Sequence, residues 1–234
     1  MDSPKPPEEQ LTEALRESGD VQRLLYAAAH ELKQPLRTIS TYAQLLQRQK
    51  TDDPQARELT SFIVHAATEM NRLVEDLLKY SRAGNSVRRT TVKLNTVVQW
   101  AVLNLQEVIQ ECNAEVICED LPELSIDESQ FVQVFQQLFS NALKFRGTET
   151  PRIEVTGIEE AETCRISVRD NGPGVEPRFH EQIFEPFKRL HGKEIPGSGL
   201  GLALCKKIVH AHGGKIWVES DGVHGSVFQI ALPI

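Results

Sequence analysis

The sequence offers little to pair cysteines. Cys112, Cys118, Cys164 and Cys205 are scattered and form no CxxC, which argues against a zinc site or a disulfide framework. They read as core or near-core thiols in a reducing compartment. No dense run of lysine and arginine is present, and the formal charge is −7. Nothing in that balance suits a nucleic-acid backbone. No apolar stretch reaches membrane length and no signal peptide stands at the start, so neither membrane insertion nor export is expected. Internal repeats and extended low-complexity tracts are absent as well. The 234 residues, 40% of them hydrophobic, suit a cytoplasmic protein of one or two domains, at ~100–200 residues per domain.

What is present begins with a polar, proline-rich lead-in, MDSPKPPEEQ. Residues 1–18 read as a linker or a truncated extension. Apolar residues then recur at Val21, Leu25, Ala28, Leu32, Pro35, Ile39, Tyr42 and Leu46, in alternating steps of four and three. After a break at TDDP a second such stripe runs Leu59, Ile63, Ala66, Met70, Leu73, Leu77, Tyr80 and stops at SRAGNS. These are heptad stripes. Pro54 opens the second helix, and Gly84 with Asn85 suits its end. Residues 19–84 are therefore expected to form an antiparallel helical hairpin. So thin a hairpin buries only one side of each helix. Either a second copy completes a four-helix core, or the hairpin lies on the rest of its own chain.

The first helix contains HELKQPLRTI. His30 falls off the stripe and is expected to point away from the core, with Glu31 beside it. Pro35 removes the backbone bond to the Glu31 carbonyl, at ~3 kcal/mol or more in a plain helix. The resulting bend falls in the turn next to the histidine. Pattern alone leaves two readings: a bend that exposes a site histidine, or a structural kink.

After Arg88 the periodicity changes. TTVKL, AEVICED, PRIEVTGIEE, ETCRISVRDNG, KIWVES and GSVFQIALPI read as strands, and a further short strand precedes a helix capped near Asp127. LNTVVQWAVLNLQEVIQECN reads as one amphipathic helix, and SGLGLALCKKIVHAHGG as another closed by Gly213 and Gly214. Residues 85–234 are expected to form an α/β sandwich with a mixed sheet, giving an α+β chain overall.

Two glycine loops punctuate this half. DNGPGVE holds Asp170, Gly172 and Gly174 after a strand, and GSGLGL holds Gly197, Gly199 and Gly201 at the mouth of a helix. Glycines let backbone amides approach a ligand, and amides at a helix start suit phosphate. Neither the Rossmann context nor the GxxxxGK[ST] of a P-loop is matched. A site for a phosphate-bearing ligand and a pair of ordinary turns both fit.

With these motifs in this order, the chain resembles the transmitter core of bacterial sensor histidine kinases, the phytochrome-type and related signal-responsive kinases in particular. The likeness runs from about Val21 to the end and rests on five ordered motifs. In AHELKQPLRTIS, the resemblance implies that His30 accepts the phosphoryl group. Glu31 is then the acidic neighbour, Pro35 the source of the helix bend and Arg37 a basic residue near the site. In QLFSNALKFRG it implies Asn141 as the magnesium ligand and Lys144 as a cation near the phosphates. In DNGPG, Asp170 matches the aspartate that hydrogen-bonds the adenine amino group, with Gly172 and Gly174 shaping its loop. In IFEPFKRLHG, Phe184 and Phe187 match aromatics at the base of a mobile lid, and Arg189 and His191 match lid residues that reach toward the phosphates. In GSGLGLALCKKIV, Gly197, Gly199, Leu200 and Gly201 match the lid's end.

The implied fold is a helical hairpin that dimerises into a four-helix bundle, followed by an ATP-binding α/β sandwich of the histidine kinase (GHKL) type. The implied cofactors are ATP and Mg2+. The implied activity is autophosphorylation of His30 and transfer to an aspartate of a response regulator receiver domain. The implied partners are a second copy, that regulator, and an upstream sensory module outside this chain.

Three positions depart from the usual pattern. Gln34 stands where many relatives carry Thr or Asn, which implies weak or regulator-dependent phosphatase activity. Gln137 replaces a second asparagine and keeps the amide on a longer arm. Pro173 follows Gly172 and fixes φ in that loop. His65, His210, His212 and His224 carry no expected metal or catalytic role. ATPases of the topoisomerase, chaperone and mismatch-repair types share the glycine loops and the asparagine but lack the upstream hairpin. A decayed scaffold would keep the fold without the transfer.

Overall fold

The structure, a computed structural model, describes residue 29 and residues 32–34, 36–47, 54–190 and 197–234. His30, Glu31, Pro35 and His191 lie outside the described residues. The chain divides into two compact units, Met1–Arg82 and Ala83–Ile234.

In the first unit, α1 is helical at residues 32–34 and 36–47, and α2 spans Pro54–Arg82. The seam between them is built from Ala29, Leu36 and Val74, with Leu77 and Leu78 packed against it. Ala43, Ala67 and Ser81 are also buried. Asn71 Nδ2 donates to Ser40 Oγ across the hairpin at 3.1 Å, and Lys33 pairs with Glu75 at 3.3 Å.

This seam corrects the expected one. The heptad stripes predict the core face, but Leu32, Ile39, Tyr42, Leu46, Leu59, Ile63 and Met70 are all exposed. The buried positions Ala29, Leu36 and Ala43 each follow a stripe residue by one. The physical reason is size. The apolar arc of each helix is wide enough for two contacts, and the alanine-rich edge allows the two helices of one hairpin to approach closely. The bulky edge is left over.

In the second unit, β1 (Thr90–Lys93) pairs antiparallel with β3 (Glu123–Ile126). A five-stranded sheet has the order β2-β4-β5-β7-β6. Its strands are β2 (Glu115–Cys118), β4 (Arg152–Glu159), β5 (Thr163–Asp170), β6 (Lys215–Glu219) and β7 (Ser226–Pro233). Only the β2–β4 pair is parallel. Cross-strand register aligns Val155, Val168, Phe228 and Val218 in one row and Ile166, Ile230 and Ile216 in the next. That face is buried. The alternate residues Glu154, Thr156, Arg165, Ser167 and Arg169 form the polar face, as expected of a half-covered sheet.

The helices are α3 (Leu94–Asn104), α4 (Gln106–Glu111), α5 (Glu128–Lys144) and α6 (Gly201–Ala211). Phe131, Val134, Phe135, Leu138 and Phe139 recur at helical spacing along α5 and are buried. Each such side chain contributes roughly 1.5–3 kcal/mol on burial. Asp127 caps α5, accepting from the Gln130 amide at 3.2 Å, as its position before the helix suggests.

The helix expected across LNTVVQWAVLNLQEVIQECN is two. It breaks at Leu105 (φ −114°, ψ 10°). The buried face of α3 ends at Ala101 and α4 has no buried residue, so packing no longer holds one axis. Single 3-10 turns at Pro177–Phe179 and Gln182–Phe184 were also not expected. Among the described residues no helix is long and apolar enough to cross a membrane.

Candidate functional site

The second half of α5 organises the site. Asn141 and Lys144 lie on its last turn, half-buried. Phe145 ends the helix, its amide donating to the Asn141 carbonyl at 2.9 Å. A Cβ on Gly172 would stand 3.0 Å from the Phe145 carbonyl oxygen, so the first glycine loop rests directly on the helix end. On the other side, a Cβ on Gly197 would lie 3.6 Å from Lys144 Nζ. One turn earlier, a Cβ on Gly201 would sit 2.5 Å from Gln137 Oε1. A side chain at Gly172 would crowd the Phe145 carbonyl and one at Gly201 would displace the Gln137 amide, whereas Gly197 leaves ordinary contact distance to Lys144. Asp170, Asn141, Lys144, Gly172, Gly197 and Gly201 are thus neighbours within the second unit.

Asp170 ends β5. Its Oδ1 accepts from the Gly172 amide at 2.8 Å, and the Ser226 amide faces it from the neighbouring strand β7. Burial raises its pKa above the ordinary carboxylate value, and those two amides pull in the opposite direction. It is a recessed acceptor with fixed aim, suited to an amino group. Gly174 takes φ 81°, a conformation that side-chain-bearing residues rarely adopt.

The second loop is held at its neck. Phe184 is buried and meets Phe228 edge-on at 6.4 Å. Phe187, expected with it at the lid base, is 61% exposed and adopts φ 64°. Its backbone rather than its ring does the anchoring: its amide donates to the Gly199 carbonyl at 2.9 Å. Arg189 is exposed. Ser198 is buried and its hydroxyl accepts from the Leu200 amide at 3.2 Å, while Leu200 itself is buried in the core.

The residues present fit a magnesium ion carried in with a nucleotide. Among the described residues no group of three or more His, Cys, Asp or Glu is gathered to hold a metal. Mg2+ keeps several waters and takes one or two protein oxygens plus substrate phosphates, and the Asn141 amide is such an oxygen donor beside Lys144.

In the first unit, Gln34 and Arg37 are exposed on α1. The Gln34 carbonyl accepts from Thr38 Oγ1 at 3.2 Å, leaving its amide side chain at the surface.

A buried polar group went unanticipated. His212 Nε2 accepts from the Asp127 amide at 3.0 Å, and Nδ1 donates to the Ile208 carbonyl at 2.8 Å. The ring is therefore neutral, bridging the end of α6 to the start of α5. Burial lowers its pKa, helped by Arg89. Asp127 also accepts from the Arg88 amide at 3.0 Å, and the Gly84 amide donates to Gln130 Oε1 at 3.1 Å. Burial pushes the Asp127 carboxyl up, but its hydrogen bonds outweigh that and leave it lowered. Nothing in local spacing signals this cluster, because its partners are 85 residues apart.

Comparison with known proteins matches residues 20–86 to the His Kinase A (phospho-acceptor) domain. Residues 126–234 match the histidine kinase-, DNA gyrase B-, and HSP90-like ATPase family. The phytochrome-like protein Cph1 of Synechocystis is 37% identical over 223 residues, covering 94% of this chain and 30% of that protein. The chain thus spans less than a third of the first curated relatives it matches. The catalytic domain of histidine kinase ThkA is 32% identical with TM-score 0.54, covering 62% of this chain and 97% of that one. ThkA in complex with the response regulator protein TrrA gives TM-score 0.64 at 25% identity, covering 97% of this chain and 64% of that one. Full-length ShkA in complex with AMPPNP gives TM-score 0.71 at 25% identity, covering 90% of this chain and 45% of that one.

Proposed function

The chain belongs to the sensor histidine kinases, and from that premise we propose that it transfers the γ-phosphoryl group of ATP to His30 and then to a response regulator aspartate. The observation that supports this reading most is the gathering of both glycine loops, Lys144 and Asn141 around the end of α5. Asp170 accepts the adenine amino group. Lys144 faces the phosphates, and Arg189 and His191 extend that positive field. The backbone of Gly197, Gly199 and Gly201 leaves room for the phosphate chain. Asn141 holds the metal, whose charge offsets that of the phosphates when it is bound.

His30 attacks the γ-phosphorus. A P–N bond forms, the bond to the ADP oxygen breaks, and ADP leaves. An unperturbed imidazole has a pKa of ~6.5, so the nucleophilic neutral form is abundant at neutral pH. Glu31 orients the ring and balances its growing positive charge. Pro35 supplies the bend that presents it.

The reading includes a homodimer. Leu32, Ile39, Tyr42 and Leu46 on α1 and Leu59, Ile63, Met70 and Leu73 on α2 are exposed apolar side chains, and a second hairpin covers them as a four-helix bundle. The regulator docks on the hairpin near His30, with Gln34 giving weak or regulator-dependent phosphatase activity. The neighbour solved with a regulator supports that partner by likeness. The proposed location is cytoplasmic, where ATP and receiver domains are found, and the input comes from a sensory module beyond this chain.

Incubation with γ-labelled ATP and magnesium tests the reading. Acid-labile, base-stable label that disappears in His30→Gln is expected. Label that survives that substitution defeats the assignment, and a correctly folded dimer that binds ATP but never takes label points to a scaffold.

A further inference from the structure

We infer that Ser220 is a positioning residue for nucleotide recognition, its hydroxyl holding the loop that carries Asp170. The inference rests on the reading of Asp170 as the adenine acceptor. Ser220 follows β6 and begins the turn into β7. Its Oγ donates to the Gly225 carbonyl at 2.6 Å and accepts from the Val175 amide at 2.9 Å and the Gly222 amide at 3.2 Å. A hydroxyl has one donor and two acceptor sites, so this one is fully used. Two of the bonds lie within its own turn. The third crosses to the DNGPGV loop.

The same turn grips that loop at its other end. Ser226 pairs with Asp170 in the β5–β7 ladder. Gly225 lies so close to Asp170 that a Cβ would overlap its carbonyl oxygen. Between the two grips, a Cβ on Gly174 would stand 2.7 Å from Ser220 Oγ. His180 Nε2 donates to the Val175 carbonyl at 2.9 Å and so fixes the loop's exit. The Asp170 carboxyl takes its aim from inside this loop, through the Gly172 amide at 2.8 Å. Removing the Ser220 hydroxyl leaves the Val175 and Gly222 amides without their acceptor. The helix–sheet core is untouched, because Ser220 packs outside it.

Affinity for ATP and for inosine triphosphate, which lacks the adenine amino group, separates the possibilities. The full chain, Ser220→Ala, Asp170→Asn and the double variant are compared. Wild type is expected to prefer ATP and Asp170→Asn to lose that preference. Ser220→Ala is expected to lose about tenfold in ATP affinity with much less change for inosine triphosphate. It adds nothing to Asp170→Asn, as residues acting through one another do. Amide hydrogen exchange in residues 171–175 rises while that of α5 does not. A folded Ser220→Ala that keeps the wild-type ratio while Asp170→Asn loses it overturns the inference and leaves the Asp170 reading standing. Equal losses for both nucleotides overturn it as well, since they mark a general structural effect. An Asp170→Asn protein that keeps the ratio removes the Asp170 reading and this inference with it. If Ser220→Ala does not fold, Ser220→Cys, with its weak donor and acceptor, carries the same comparison.

Discussion

The amide of Phe187 donates to the carbonyl of Gly199 at 2.9 Å, with both residues at positive φ, 64° and 72°. One hydrogen bond thus joins the two sides of the second glycine loop at its neck. A Cβ on Gly199 would lie 2.8 Å from the Phe187 carbonyl carbon, so alanine there meets both a backbone clash and an unfavourable φ. Strain of this kind costs on the order of 1–3 kcal/mol. Gly199→Ala is expected to weaken ATP binding about tenfold or more, with the circular dichroism spectrum unchanged. Calorimetric titration with ATP checks it, and wild-type affinity would show that the neck does not shape the site.

Lys144 gives a prediction that separates the two ends of the nucleotide. Its ammonium lies beside Gly197, in contact distance of a Cβ placed there. Lys144→Ala is expected to lower ATP affinity about tenfold, a charge-assisted contact of ~1.5–3 kcal/mol, and to leave adenosine affinity unchanged. Equal losses for both ligands would place the lysine elsewhere.

The hairpin makes an assembly prediction. Ile63 and Leu73 are 46% and 39% exposed in one chain and face the proposed second copy. Ile63→Glu with Leu73→Glu puts like charges into that core, where burying an unpaired charge is strongly unfavourable. Sedimentation is expected to find a dimer for wild type and a monomer for the variant. A dimer that survives both changes would move the interface to another face.

The strand and helix alternation beyond Arg88 was legible because period 2 and period 3.6 differ plainly there. The Asp127 cap and the glycine at Gly213 (φ 78°) were legible because caps are local chemistry. The hairpin periodicity showed that an apolar arc exists but not which neighbour covers which edge, so the buried seam fell one residue from the stripe. The identity of Phe187 does not tell how it holds the base of the lid: its ring is exposed and its backbone amide makes the contact with Gly199. Ser220 and His212 act through partners far along the chain, and no short window contains such a pair.

His212 yields a pH dependence. Burial lowers the pKa of the folded ring, so on acidification the unfolded chain binds the proton first. Its contribution to stability is full above the unfolded value of ~6.5 and is lost as pH falls through that value toward the lower folded one. Protonation of Nε2 would also turn the acceptor of the Asp127 amide into a donor facing a donor. The melting temperature is expected to fall between about pH 7.5 and about pH 5, and the slope to flatten in His212→Gln. Asp127, lowered itself, loses its share only below the ordinary carboxylate range near ~3.9, outside this window. An equal slope in the variant would show that the His212 ring is not the source of the acid sensitivity.

Because both glycine loops are referenced to α5, tolerance to changes in length is uneven along the chain. A residue inserted between Gln137 and Lys144 would rotate everything beyond it by about 100° around the helix axis, parting Gly172 from Phe145 and Gly197 from Lys144 at one stroke. A residue added at the acidic turn between β4 and β5 shifts none of these contacts. Homologues that diverge by insertion and deletion should therefore vary at that turn while keeping the last two turns of α5 at constant length.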